Sequence, residues 1–124
     1  MSVPTVALKD KGGNVDLKVE DNKEFQVALE GNATTGYCWI FVNVDEVKNS
    51  SVVEPLNVNP GNMADDYIEK PHEQGIVGVG GCSVFKFKVK NAAGKTLPKL
   101  VFEHKRPWEK NKTPIGKAEI TLKL

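Results

Sequence analysis

The segment of residues 82–90 alternates between two kinds of side chain and sets the strongest constraint on the fold. Small and aromatic residues occupy every second position from Ser83 to Val89, and lysines occupy most positions between them. Because successive side chains of a β-strand point to opposite faces, this pattern predicts a strand with one packed face and one solvated face. A chain with such a strand needs a second layer to cover the aromatic face.

Residues 14–19, 24–29 and 117–124 show the same two-residue period, and other segments have the composition of strands. We expect strands over residues 14–19, 24–29, 37–42, 99–104 and 117–124. Pro55 restricts residues 51–59 to an edge strand or an irregular one, and residues 44–51 could hold a helical turn. No amphipathic pattern is long enough for a larger helix. Seven to eight short strands with Gly/Pro turns predict an all-β, antiparallel sandwich, and an immunoglobulin-like one fits this length.

Residues 37–42 form an apolar run that follows a polar turn. All six side chains from Tyr37 to Val42 are apolar, which predicts a strand covered on both faces and central in its sheet. Before it, residues 32–36 form what we call the threonine loop. Asn32 and Gly36 suit the positive-φ conformations of tight turns, and Thr34 and Thr35 between them are expected to be exposed. A small polar loop beside a buried strand suits binding.

Length and charge limit the possible functions. The 124 residues predict a single domain, residues 1–124, and a net charge of +1 gives no electrostatic reason to expect nucleic acid or a membrane surface as partner. No apolar run approaches the roughly 18 residues of a membrane span. The first five residues do not resemble a secretion signal, so we expect a cytoplasmic protein. A lysosomal or vesicular location is the alternative if the sequence has lost a signal.

Two cysteines, Cys38 and Cys82, give neither a disulfide framework nor the C-x-x-C spacing of a zinc site. We expect both to be buried, reduced thiols, with a single bridge between them as the alternative. No spacing supports a nucleophile–base pair of either cysteine with His72 or His104. We therefore expect no enzyme activity.

Acidic residues at positions 65, 66 and 69 lie in a long irregular stretch. Asp65, Asp66 and Glu69 could bind a hard cation, but the pattern fits a solvated loop better. We expect no metal site and no cofactor.

A glycine-dense segment, residues 75–81, precedes the alternating strand, and we call it the glycine loop. Phosphate cradles lead into a helix, whereas these glycines lead into a strand, so a phosphate site is rejected. Missing side chains allow another backbone to approach closely, and the apolar Ile76 and Val77 favour a contact surface. The alternative is a bulged entry into the strand.

A third loop follows the predicted strand that ends at His104. It contains Arg106, Pro107 and Trp108, and we call these three residues the tryptophan loop. Proline stiffens the backbone, and tryptophan and arginine are enriched in interface hot spots. The alternative is a tryptophan folded back over the end of the core.

Taken in order, these loops resemble the motifs of the chagasin-type inhibitors of cysteine peptidases. The family patterns N-P-T-T-G-[YF], G-x-G-G and R-P-[WF] correspond here to Asn32-Ala33-Thr34-Thr35-Gly36-Tyr37, Gly78-Val79-Gly80-Gly81 and Arg106-Pro107-Trp108. The resemblance covers nearly the whole chain. Ala33 replaces the family's proline, which frees φ at that position.

The resemblance implies an immunoglobulin-like sandwich that inhibits papain-like cysteine peptidases reversibly and tightly, as a monomer. It implies that the three loops form a wedge, with Thr34 and Thr35 covering the enzyme's catalytic Cys-His pair. The part of the glycine loop from Gly78 to Gly81 would bind along the non-primed side in the manner of an added strand. Trp108 would lie on an aromatic floor on the primed side, with Arg106 at the rim. The alternative is a recognition or adhesion sandwich without inhibitory activity.

Overall fold

The computed structural model describes residues 4–9, 11–31, 37–69, 81–106, 108–109 and 113–124, with the backbone alone for residues 66–69. Within these residues the chain forms nine strands and one short helix: β1 (Thr5–Leu8), β2 (Gly12–Lys18), β3 (Glu24–Gly31), β4 (Cys38–Phe41), α1 (Val44–Asn49), β5 (Val53–Pro55), β6 (Asp66–Glu69), β7 (Gly81–Val89), β8 (Leu100–Lys105) and β9 (Gly116–Lys123).

The strands form two sheets that pack face to face. One sheet has the order β1-β3-β7-β5, with β6 also paired to β7, and the other has the order β2-β9-β8-β4. The β-sandwich expected from the sequence is confirmed. Most neighbours are antiparallel, but β1 pairs with β3 and β2 pairs with β9 in parallel, which the sequence pattern did not predict. Both parallel strands lie at sheet edges, where a strand from a distant part of the chain can be added.

The core consists of the inward residues of both sheets. The alternation predicted for residues 82–90 is confirmed from Phe85 to Val89, because Phe85, Phe87 and Val89 are buried while Lys88 is exposed, but Val84 on the lysine face is buried too. Phe102 from the other sheet lies between these rings, with its centroid 4.7 Å from that of Phe85. The predicted inward face of β3 is buried as well. Burial of these large rings provides the main stabilisation of the sandwich.

The position predicted for the apolar run at residues 37–42 was wrong. Its strand, β4, is an edge strand that pairs with β8. Trp39 and Phe41 are buried in the core, whereas Cys38 and Ile40 are half-buried on the other face. The Phe41 amide, on the side away from β8, donates a 2.7 Å hydrogen bond to the carbonyl oxygen of Asn62. A loop therefore contacts this edge where we expected a second strand.

Two short strands lie one after the other along the same edge of β7. Strand β5 ends at Pro55 and lies at this edge, which is the position that the proline predicted. Strand β6 pairs with the N-terminal half of β7. Between them, the Asn57 side chain donates to the carbonyl oxygen of Val84 at 2.7 Å and accepts from the Lys86 amide at 2.9 Å. The side-chain amide thus continues the strand pairing across the gap. Strand β6 falls in a stretch where the sequence predicted no clear element.

The helix α1 occupies the segment whose sequence allows a helical turn. Its Val44 and Val47 are buried in the core. Asn43, just before it, donates to the Lys99 carbonyl oxygen at 2.6 Å and accepts from the Val101 amide at 2.9 Å. These bonds tie the start of the helix to β8, so six residues suffice for a helix that would be unstable in isolation.

Candidate binding site at one end of the sandwich

Residues that flank the three loops meet at one end of the molecule. Gly31, which ends β3, is paired with Gly81, which begins β7. Cys38, which begins β4, is paired with Lys105, which ends β8. Both flanks of the threonine loop therefore lie beside the flank of another loop, one in each sheet.

The structure describes four of the residues predicted for the site. Tyr37, Gly81, Arg106 and Trp108 all belong to this end of the sandwich. The other predicted site residues lie outside the described part of the chain: Asn32, Ala33, Thr34, Thr35, Gly36, Ile76, Val77, Gly78, Val79, Gly80 and Pro107.

Trp108 is the most exposed of the large apolar side chains that the structure describes, at 67%. The alternative in which this tryptophan folds back over the core is therefore wrong. The turn that carries it is closed by a 3.0 Å hydrogen bond from the Glu109 amide to the Arg106 carbonyl oxygen. The Arg106 guanidinium also lies 3.6 Å from a carboxylate oxygen of Glu109. Trp108 is thus presented to solvent on a closed turn, as a binding side chain would be.

An aromatic stack lies directly beneath this end. The His104 imidazole is parallel to the Trp39 indole, with centroids 4.6 Å apart and planes 10° apart. The Tyr37 ring meets His104 edge-on at 5.9 Å, and the guanidinium carbon of Arg106 lies 4.4 Å from the centroid of Tyr37. The indole nitrogen of Trp39 donates to the Glu30 carbonyl oxygen at 3.1 Å. The stack thus runs without interruption from the core to Arg106.

The place of His104 in this stack was not predicted from the sequence, where this residue was named only as a base that no spacing supports. Two signals could have indicated it. His104 has the inward parity of Leu100 and Phe102 in an alternating strand, and it stands two residues before Arg106. Neither signal identifies the side chains that contact His104, because Trp39 is brought beside His104 by the pairing of β4 with β8.

Gly31 is required here for close approach rather than for an unusual φ. A Cβ at this position would lie 2.9 Å from Nε2 and 3.1 Å from Cε1 of His104. The imidazole cannot easily move away, because Trp39 covers one of its faces. A glycine directly before the threonine loop therefore lets the backbone pack against His104.

A cavity of about 320 Å³ near α1 and a second of about 210 Å³ at the loop end are present in the described structure. The second lies under the aromatic stack and is lined by Gly31, Tyr37, Cys38, Trp39, Met63, Ala64, Ser83 and His104. Neither cavity contains a cluster of three potential metal-ligating side chains from the described residues. The cavity at the loop end is thus lined by residues of both sheets and by both flanks of the threonine loop.

Cys38 and Cys82 are not joined in a disulfide, as expected, but they are half-buried rather than fully buried. Burial raises the pKa of the Cys38 thiol. A raised pKa keeps the thiol protonated, the opposite of what an activated nucleophile requires.

Among the described residues, no helix is long and apolar enough to span a membrane.

Comparison with known proteins identifies the family. The family model described as "Chagasin family peptidase inhibitor I42" matches residues 18–123 of this chain. Amoebiasin-1 of Entamoeba histolytica is 25% identical over 107 residues, which is 86% of this chain and 87% of that protein. Chagasin-family proteins are peptidase inhibitors rather than enzymes.

Solved structures show the same fold. The cysteine protease inhibitor EhICP2 of Entamoeba histolytica has a TM-score of 0.59 at 21% identity, over 97% of this chain and 95% of that one. PbICP-C, solved in complex with falcipain-2, has a TM-score of 0.51 at 16% identity, over 94% and 97% of the two chains. The family model covers most of the sequence, and the two sheets agree with the fold of these inhibitors. The chain is therefore a member of the chagasin family of peptidase inhibitors.

Proposed function

We propose that this chain is a reversible, tight-binding inhibitor of papain-like cysteine peptidases and that it binds through the end of the sandwich where the three loops begin. The observation that carries the proposal is Trp108, a large apolar side chain held in solvent on a closed turn beside those loops. Membership of the chagasin family supports inhibition, and the similar EhICP2 is itself described as a cysteine protease inhibitor.

Each loop has a proposed part in the interface. The threonine loop, with Asn32, Ala33, Thr34, Thr35, Gly36 and the adjoining Tyr37, enters the middle of the cleft and covers the catalytic pair. The glycine loop, with Ile76, Val77, Gly78, Val79, Gly80 and Gly81, pairs with the enzyme backbone on the non-primed side. Arg106, Pro107 and Trp108 bind on the primed side, with Trp108 as the buried anchor.

The scaffold suits this kind of inhibition. A wedge of loops presents no peptide bond in line with the nucleophile, so the inhibitor blocks the cleft without being cut. Peptidase–inhibitor interfaces bury on the order of 1,600 Å² and use loops that change little on binding. The flanks described here are held by strand pairing and by the aromatic stack beneath Tyr37. Little conformational entropy is therefore lost on docking.

The test is a titration of papain with the purified chain, followed with a small fluorogenic substrate. We expect stoichiometric loss of activity at about nanomolar enzyme, recovery after dilution, and no effect on a serine protease. Full activity at about micromolar inhibitor, across several papain-like enzymes, would refute the proposal. That result would instead favour the recognition or adhesion sandwich.

A substitution in the threonine loop tests how the loop binds. Thr35→Trp adds bulk where the proposal places a narrow cleft, so we expect inhibition to weaken by about a hundredfold or more. Thr5→Trp is the matched control, because Thr5 is exposed and pairs with Gln26, far from the loop end of β3. Equal inhibition by Thr35→Trp and the wild-type chain would show that the loop stays outside the cleft.

We further propose that the chain forms one inhibitor domain over residues 1–124 and that it acts in the cytoplasm. Cys38 and Cys82 remain as thiols rather than a disulfide, which supports a reducing compartment. Immunolocalisation in the cells that express the chain tests this location, and a lysosomal or vesicular signal would contradict it.

A further inference from the structure

We infer that His104 is a positioning residue of the binding site: its imidazole fixes Tyr37, and through Tyr37 it fixes Arg106, in the arrangement that meets the peptidase. This inference rests on the proposed function and adds a residue that lies outside the three loop motifs. His104 is only 3% exposed, so it acts through its neighbours and does not touch the partner itself.

Three contacts hold the imidazole in place. Trp39 stacks on it at 4.6 Å, and the indole is fixed in turn by its hydrogen bond to the Glu30 carbonyl oxygen. Gly31 approaches so closely that even a methyl group there would meet Nε2 at 2.9 Å. The third contact is the Tyr37 ring, which is steeply inclined to the imidazole with its centroid 5.9 Å away. A planar ring held in this way has one orientation rather than several.

The same ring therefore touches both flanks of the threonine loop. Gly31 precedes residues 32–36, and Tyr37 follows them. The residue before that loop and the residue after it therefore both pack against His104, Gly31 with its backbone and Tyr37 with its ring. A shift of the imidazole would move the two flanks relative to each other.

Arg106 is joined to this arrangement by Tyr37. Its guanidinium lies over the Tyr37 ring at 4.4 Å, and it also forms the 3.6 Å ion pair with Glu109. A long arginine side chain normally loses many rotamers on binding, and a preset position removes part of that loss. His104 thus couples the flanks of the threonine loop to the first residue of the tryptophan loop.

The first test compares three variants for their rates of binding to papain. His104→Leu keeps a side chain of similar size but removes the flat ring, whereas His104→Phe restores a ring that can stack. Phe102→Leu is the matched control, because Phe102 is the neighbouring inward residue of β8 and is buried in the core away from Tyr37.

We expect His104→Leu to raise the dissociation rate constant about tenfold while the association rate constant stays within about twofold. His104→Phe should remain within about twofold of the wild-type chain in both constants. Phe102→Leu should lower the unfolding temperature without changing dissociation. The inference is overturned if Phe102→Leu raises dissociation as much as His104→Leu, or if His104→Leu dissociates like the wild-type chain.

A double-mutant cycle shows whether His104 acts through Tyr37. In a Tyr37→Leu background, His104→Leu should add less than about twofold to the dissociation rate constant, because the connecting ring is already gone. A full tenfold addition would mean that the two side chains act independently, and the inference would fail.

A readout without any peptidase separates this inference from the proposed function. Amide hydrogen exchange of peptides covering residues 31–38 and 104–109 should become about fivefold faster in His104→Leu, while residues 84–89 of β7 stay protected. The Phe102→Leu control should change exchange in the core instead. If the wild-type chain fails to inhibit papain, the proposed function is refuted; unchanged exchange at both flanks refutes the positioning role by itself.

Discussion

Replacing Trp108 by alanine should weaken inhibition strongly and leave folding intact. Trp108 is 67% exposed in the free chain, so most of its surface remains to be buried by a partner. A tryptophan presents about 250 Å² at most, which leaves about 165 Å² to bury, or about 4 kcal/mol at about 25 cal/mol per Å². Losses of side-chain entropy and imperfect burial reduce this to about 2 kcal/mol. We therefore expect the inhibition constant of Trp108→Ala to rise about 30-fold.

The assay is the papain titration, run beside urea unfolding of the same samples. Leu124→Ala is the matched control: Leu124 is 47% exposed and follows β9, whose other end pairs with His104, so it lies at the far end of the sandwich. This control should keep the wild-type inhibition constant. An unchanged constant for a fully folded Trp108→Ala would refute the assignment of Trp108 as the anchor. An equal loss in Leu124→Ala would show that the effect is not specific to the loop end.

Three further predictions concern the scaffold. Gly12→Ala should lower the free energy of unfolding by about 2 kcal/mol or more in urea titration, because Gly12 has a φ of +78° and a Cβ would collide with the Lys117 carbonyl oxygen. Gly13→Ala is the control: Gly13 also has a positive φ, but there is open space around its Cβ site, so only the effect of the strained backbone remains. Asn57→Ala should cost about 2 kcal/mol by the same measurement, because two backbone groups of β7 lose their partner, and an unchanged denaturation midpoint would contradict this. Burial raises the pKa of the Cys38 thiol, so less thiolate is present at a given pH. Iodoacetamide should therefore alkylate Cys38 at about pH 8 several-fold more slowly in the folded chain than in urea. Equal alkylation rates, measured by mass spectrometry, would contradict this prediction. Because the pKa of this thiol is higher in the folded chain than in the unfolded chain, its contribution to the free energy of unfolding is full below the unfolded-state pKa. That contribution falls as the pH rises through the folded-state pKa.

The strands that carry the core could be predicted because their pattern is local. In β7 the alternation of Phe85 and Phe87 with lysines identifies the buried face without knowledge of any partner. The same holds for Phe25 and Leu29 of β3. A period of two residues follows from strand geometry alone, so it survives whatever the strand packs against.

The edge position of β4 could not be predicted in the same way. Apolar side chains on both faces indicate that both faces are covered, but they do not say what lies beside the strand. Here the loop at Asn62 meets the Phe41 amide on the side away from β8. Hydrogen bonds at a strand edge involve the backbone, which carries no side-chain signal in the sequence.

Local periodicity and short motifs are enough to assign the faces of the main strands and the residue types of the three loops. The contacts of Gly31 with Gly81 and of Trp39 with His104 follow only from the folded chain, since these pairs depend on register between strands distant in the chain. Register is set by the packing of the whole core, and a shift of one residue would turn every side chain to the other face. The stack that joins Trp39 to Arg106 is therefore a product of the fold.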